Sequence, residues 1–376
     1  MFTLHVDTAL SWRGGQNQVL LTVLGLRALG HRTVLVAQPN GELLQRATGC
    51  SDLISIASLG EADLAAAWRL SRALKRLRPT VVQAHDAQGV AMVALARSLA
   101  RLDPQPRFVV SRRVDFHIGR NVFSRWKYSQ VDLFLCASEA IRMMLIEDGV
   151  APERTETVHE GVDLRQVEAS PDLDPHSEFH LPRGVPIVGN VAALVPHKGQ
   201  QFLIEAAAKV VSQIPDTRFL ILGTGELESK LRKQIKQLQL DRHVLLAGFR
   251  PDVLSLQKGF DLLVLSSITE GLGTTLLDGM ALGRPIVATR TGGIPEVVVD
   301  AETGVLVPPR DAQTLATAIV DLLRDPERRA RFGTAARARA RERFSAEQMV
   351  QRTLDAYGRL AGTPPSTDIG RPDTAG

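Results

Sequence analysis

Short runs of Val, Ile and Leu alternate with longer stretches in which apolar residues recur every three or four positions. The short runs have the length and composition of buried strands, and the longer stretches have the period of amphipathic helices. The pattern predicts strands over 2–6, 33–37, 81–84, 108–111, 133–137 and 155–159. Between them it predicts helices over about 17–29, 62–77, 89–99 and 138–148. Gly30 and Pro79 end the first two helices, and Ser138 caps the fourth. The pattern pauses at the polar, Pro- and Asp-rich stretch Ser170-Pro171-Asp172-Leu173-Asp174-Pro175-His176. It then restarts, with strands over 187–191, 218–222, 243–247, 261–265, 285–289 and 304–307. The helices expected there cover about 199–214, 226–238, 274–282 and 311–323. An Arg/Ala-rich segment, 328–343, and a further helix over 345–360 follow. The last stretch, 362–376, is rich in Pro, Gly, Ser and Thr and reads as a disordered tail.

Strictly alternating strands and helices point to parallel sheets covered on both faces. The fold class expected is therefore α/β, with two doubly wound Rossmann-like domains. Residues 1–169 form the first domain and 185–343 the second. Residues 344–361 form a C-terminal helix that packs back on the first domain, and 362–376 form the tail. Ligands of such sheets lie outside the carboxyl ends of the strands, so two facing edges make a cleft.

Composition narrows the classes. A chain of 376 residues is long for one α/β core and suits two. Its net charge of +4 permits an acidic substrate or an anionic membrane surface without requiring either. Cys50 and Cys136 form neither a CxxC motif nor a disulfide framework, which suits a reducing compartment. No apolar run approaches the roughly 20 residues that span a bilayer, and the first residues lack a signal-peptide pattern. A cytoplasmic location follows as an expectation, with peripheral contact at the inner face of a membrane left open. The basic segment 328–343 has too few aromatic residues to suggest base stacking, so no nucleic-acid partner is expected.

The most informative stretch runs from Thr269 to Pro285. It reads strand, glycine-rich turn, helix, strand. Gly271 and Gly273 lie where the helix opens, and free backbone N–H groups there attract an anion. The amides of Leu272, Gly273 and Thr274 form the expected cradle. Glu270 precedes the turn and Asp278 lies within the helix; both can accept hydrogen bonds from hydroxyls. Phosphate beside hydroxyls describes a sugar nucleotide. No Asp-x-Asp pair stands in a loop suited to a divalent metal, so neither metal nor cofactor is expected. Lys198, after a strand and at a helix start, supplies the cation instead.

Five segments occur in a characteristic order: Val195-Pro196-His197-Lys198-Gly199, Leu222-Gly223-Thr224-Gly225, Ala247-Gly248-Phe249-Arg250, the Glu270-to-Asp278 unit, and Arg290-Thr291-Gly292-Gly293-Ile294-Pro295-Glu296. The series resembles the retaining glycosyltransferases of family 4, which have the GT-B fold. Trp12-Arg13-Gly14-Gly15-Gln16 is similar to the glycine-rich first loop of that family. The resemblance covers about residues 2–360. It implies a nucleotide-sugar donor held mainly by the second domain and an acceptor held mainly by the first. It also implies metal-independent hexosyl transfer, with lipid-linked or cell-envelope glycans such as lipopolysaccharide as the acceptor class.

The resemblance implies roles residue by residue. Lys198 binds the diphosphate, Glu270 contacts the donor sugar, and Asp278 takes the place of the acid that holds the ribose. Asp278 is one methylene shorter than the usual Glu. Gly15 joins the donor site, and Arg250 with Phe249 lies where the base is contacted. His85 stands near the donor sugar and the acceptor, so His85, Lys198 and Glu270 are the catalytic candidates. Gly14, Arg112 and Arg113 are the acceptor-side candidates, the two arginines facing either an anionic acceptor or solvent. The family's arginine before the lysine falls on Ala193, with His197, Arg112 or Arg113 available to compensate. Two other classes stay open. One is a non-catalytic GT-B scaffold that binds a nucleotide or a partner enzyme. The other is a nicotinamide-dependent dehydrogenase, which lacks its GxGxxG spacing here.

Overall fold

The computed structural model describes residues 1–119 and 121–362. The first sheet has seven parallel strands in the order β3-β2-β1-β4-β5-β6-β7. These are β1 (Phe2–Val6), β2 (Arg32–Ala37), β3 (Asp52–Ser55), β4 (Val81–Ala84), β5 (Arg107–Arg112), β6 (Leu133–Cys136) and β7 (Thr155–Thr157). The second sheet has six, in the order β10-β9-β8-β11-β12-β13. They are β8 (Ile187–Val191), β9 (Arg218–Leu222), β10 (Val244–Gly248), β11 (Leu262–Leu265), β12 (Ile286–Thr289) and β13 (Gly304–Val307). All recorded pairings are parallel, as the buried Val/Ile/Leu runs require. In each sheet the strand order reverses beside the first strand of that half. The β1/β4 edge of one sheet and the β8/β11 edge of the other are therefore the places where a ligand crevice opens.

The helices follow their capping signals. Ser138 accepts from the Ile141 amide, and Asp86 from the Gly89 amide, at the starts of Glu139–Glu147 and Ala87–Ala100. Elements not expected from the pattern include the helices Glu42–Ala47, Val122–Ser129, Leu164–Ala169, Val253–Gln257 and Ile294–Val297, and strand β3. Strand β3 reads Asp-Leu-Ile-Ser and is half-exposed at a sheet edge, so pairing with β2 and not local composition makes it a strand. The expected run 155–159 shortens to Thr155–Thr157 because the chain then turns toward the cleft. The polar connection contains a short helix, Pro175–Glu178, capped by Asp174. The segment expected as a tail lies, from 363 onward, outside the described residues.

The helix Ala346–Ala361 returns to the first sheet. Met349, Val350, Ala356 and Tyr357 share a buried cluster with Leu26, Val81, Val109 and Leu135. Gly25 permits the close crossing, since a Cβ there would collide with Val350. The Tyr357 hydroxyl donates to Gln83, whose amide donates to Ser111 (2.6 Å). A fully buried tyrosine that fills a core and satisfies a buried amide is expensive to remove. Tyr357→Ala should destabilise the first domain by about 3–5 kcal/mol, read from urea titration.

Candidate functional site

The site lies between the two crevices. Its second-domain wall is the opening of helix Thr274–Ala281. Gly273 caps that helix at φ +92°, a left-handed geometry that glycine adopts without strain. Among the described residues, the amides of Leu272, Gly273 and Thr274 have no protein acceptor. Leu272 and Gly273 are buried. Buried unpaired amides in succession, at the positive end of a helix, form a pocket of positive potential.

Neighbouring segments hold this mouth. The Ile268 amide donates to the His197 carbonyl (2.7 Å), the Gly293 amide to the Glu270 carbonyl (3.1 Å), and the Thr291 hydroxyl to the Ile268 carbonyl (2.9 Å). The Lys198 turn, the Glu270 loop and the Thr291-Gly292-Gly293 turn are thereby joined. Lys198 Nζ donates to Glu270 Oε2 at 2.5 Å, and the Ser267 hydroxyl donates to the same oxygen at 2.9 Å. Glu270 Oε1 has no partner among the described residues. Asp278 sits half-buried one helical turn in, and its carboxylate accepts no hydrogen bond from the described residues. Burial pushes its pKa up to about 7.

The first-domain wall is the glycine loop opening helix Gly14–Ala28. A Cβ at Gly14 would collide with the Thr274 hydroxyl, and one at Gly271 with the Arg113 carbonyl. The two helix mouths therefore meet, with the chain after β5 between them. Arg113 Nε lies 2.8 Å from a Glu160 carboxylate oxygen, and Nη1 lies 3.0 Å from His85 Nδ1. An arginine can only donate, so His85 Nδ1 accepts. His85 Nε2–H must then donate to His5 Nδ1 (3.1 Å), and His5 Nε2–H to Thr3 Oγ1 (3.0 Å). Burial and the Arg113 charge hold both rings neutral, with His5 near 3 and His85 well below its ordinary value.

Several placements differ from the expectations. His85 has both ring nitrogens engaged by protein, so its ring offers no acceptor to a substrate hydroxyl. Arg112 is buried and donates to the Phe116 carbonyl, which turns it into a brace for its own loop. Arg250 directs Nε and Nη2 to Asp252 (2.8 and 2.6 Å) and Nη1 to Glu178 (2.7 Å). Its guanidinium joins the inter-domain connection to the end of β10, with three of its five N–H groups engaged there. Phe249 is 49% exposed, which removes it from the core.

Three groups were given no role from sequence, although Asp86 was placed at the edge of the 81–84 strand. Asp7, at the end of β1, is buried and accepts from Gln16 Nε2 (3.1 Å). Asp86 is pushed up to about 6 by burial and by Asp7 beside it. Glu160 follows β7, is buried, and is raised by burial and by Glu270 across the cleft. All three stand at the carboxyl edge of the first sheet, and that position was the signal available.

A model of the glycosyl transferases of group 1 matches residues 175–339, and one of glycosyltransferase family 4 matches residues 12–166. A GDP-mannose-dependent phosphatidylinositol monomannoside mannosyltransferase of Mycolicibacterium smegmatis is 34% identical over 45% of this chain and 47% of its own length. A putative colanic acid biosynthesis glycosyltransferase, WcaL, of Salmonella typhimurium is 33% identical over 63% of this chain and 60% of its own. The chain thus spans about half the length of the curated relatives it matches. Among solved structures, HepE of Anabaena in complex with UDP-glucose superposes with a TM-score of 0.84 at 21% identity, covering 96% of this chain and all of that one. The lipopolysaccharide outer core galactosyltransferase WaaB gives 0.68 at 14% identity, covering 94% and 98%. These likenesses show the fold.

The Asp278 carboxyl gives a pH-dependent stability. Its folded pKa exceeds the unfolded value, so the neutral form favours folding and ionisation opposes it. The benefit is complete below about pH 4 and lost as pH rises through about 7. Asp278→Asn should therefore gain thermal stability over the parent progressively between pH 4 and 8. An offset that stays constant across that range contradicts the assignment.

Proposed function

The chain belongs to the family 4 glycosyltransferases of GT-B fold, and from that premise we propose that it transfers a hexose from a nucleoside diphosphate sugar to an acceptor hydroxyl with retention of configuration. The observation that carries the reading is the row of unpaired amides at Leu272, Gly273 and Thr274 beside the Lys198–Glu270 pair. A departing diphosphate gains negative charge as its bond to the sugar breaks. Preorganised amides and an ammonium group stabilise that charge where it develops.

The remaining groups fit a donor. Glu270 Oε1 is available to a sugar hydroxyl, and the unpartnered Asp278 carboxylate is available to the ribose. In retention by front-face attack, the acceptor oxygen bonds to the anomeric carbon on the side from which the diphosphate leaves. The acceptor proton then goes to a diphosphate oxygen, and no carboxylate nucleophile is needed. The close approach of Gly14 to Thr274 is a contact between the domains that opening them would break, admitting the donor. Closing them again excludes water from the activated sugar.

The acceptor belongs to the first domain, where Asp7 and Asp86 stand at the cleft edge. The relatives' names point to lipid-linked and cell-envelope glycans as its class. No helix among the described residues is long and apolar enough to cross a membrane.

A screen of nucleotide sugars by thermal shift and by slow hydrolysis tests the reading. The cognate donor should raise the melting temperature and release its sugar. Lys198→Ala should lower kcat/KM by about 100- to 1,000-fold while the protein stays folded. Tight nucleotide binding with no turnover across a full donor and acceptor panel would favour a non-catalytic scaffold instead.

A further inference from the structure

The second domain holds a charge deficit at the phosphate site. Among the described residues the cation there is Lys198, paired at 2.5 Å with Glu270, and position 193 carries a half-buried alanine. The amides of the helix mouth contribute partial charges only. A leaving diphosphate brings at least two negative charges, and the second domain meets it with a neutral ion pair and dipoles.

The opposite wall holds a guanidinium fixed in place. Arg113 follows β5, its carbonyl packs on Gly271, and its aliphatic stem lies against Gly15. Both glycines line the meeting helix mouths. Glu160 lies within ion-pair distance of Nε without closing a hydrogen bond to it, His85 takes Nη1, and Nη2 has no protein acceptor among the described residues. The side chain keeps 15% of its surface exposed, so the free edge is reachable. Its partners are themselves secured. His85 is backed by His5 and Thr3. The Gly161 beside Glu160 exchanges two hydrogen bonds with the buried Gln18 side chain (2.8 and 3.1 Å). An immobilised arginine with one open edge loses little further entropy on binding an anion, and its planar fork suits phosphate oxygens.

We propose that Arg113 supplies to the leaving diphosphate, from the first domain, the guanidinium that the second domain lacks at Ala193, with Glu160 and His85 as its positioning residues. The inference rests on the glycosyl-transfer reading above. Burial raises the pKa of the Glu160 carboxyl, Arg113 draws it back down, and Glu270 adds to the rise. An arginine does not give up its proton, so the open Nη2 edge stays cationic. The arrangement also ties charge stabilisation to closure. With the domains apart, the donor meets Lys198 and the amides alone. Arg113 arrives only when the first domain, and with it the acceptor, closes on the site. Premature hydrolysis of the donor is then disfavoured.

Removing Arg113 alone would strand a buried carboxylate, so the test uses R113Q/E160Q, which removes both halves of the pair, and R113Q/E160Q/A193R. Calorimetric titrations compare UDP, GDP and ADP with the corresponding monophosphates, and kcat is measured on the cognate donor. R113Q/E160Q should bind the preferred diphosphate about 10- to 100-fold more weakly, with the monophosphate little changed, and kcat should fall at least as far. Adding A193R should recover about tenfold or more of both. A folded R113Q/E160Q protein with the parental ratio of diphosphate to monophosphate affinity overturns the proposal. So does a deficit that A193R leaves untouched, which would mark Arg113 as structural. A wild-type protein that binds none of the three diphosphates overturns the transfer reading and this inference with it.

Discussion

Buried amides without acceptors are the constraint on which this structure turns. A peptide N–H removed from water and left unpaired costs about 1–3 kcal/mol, and this fold keeps several in a row. Such a row persists only where the surrounding backbone over-determines it and a ligand repays it. Three turns that are distant in sequence, around Lys198, Glu270 and Gly292, are laced to one another by main-chain hydrogen bonds. That lacing holds the helix mouth open when no anion occupies it.

The charges around the mouth obey a second constraint. Arg113 with Glu160 and Lys198 with Glu270 form two ion pairs, one on each domain. A lone buried charge would destabilise the fold, so each cation is held ready by an acid. The acids differ in what they have left over. Glu270 keeps one oxygen for a sugar hydroxyl, while Glu160 is buried, with burial raising its pKa and Arg113 lowering it. The network thus holds two cations at the cleft without leaving either unpaired. Neutral His5 and His85 extend it into the first domain as a directional chain of hydrogen bonds. Their neutrality follows first from burial and then from Arg113, since a protonated imidazole beside a buried guanidinium would repel it.

Domain geometry decides when these elements act together. The glycine loop of the first domain touches the first turn of the donor helix of the second. The end of the chain returns to the first sheet, so the domains are joined at two crossings, one near 163–186 and one near 340–346. Elsewhere Glu296 of the second domain accepts from the Glu139 and Ala140 amides and from His159 of the first. That carboxylate caps a helix across the boundary and stabilises the closed arrangement.

The sequence by itself determined the alternation of strands and helices, the two parallel sheets, and the motifs that line the second-domain wall. Those features are local: a buried parallel strand must be apolar throughout, and a glycine at a helix opening is read from its immediate neighbours. Gly271 and Gly273 were legible for that reason, whereas Lys198, Glu270 and Asp278 were assigned their roles through the resemblance. Strand β3 was not, because its hydrogen-bonding partner and not its composition makes it a strand. Nor were the fates of the polar side chains. Arg112 and Arg113 are adjacent in sequence, yet one braces its own loop and the other stands in the cleft. Arg250 turns to Asp252 and Glu178, and both ring nitrogens of His85 are taken by His5 and Arg113. Only the tertiary structure decided this, because a charged side chain takes whichever partners the fold brings within about 3 Å, and those partners come from strands far apart in the chain.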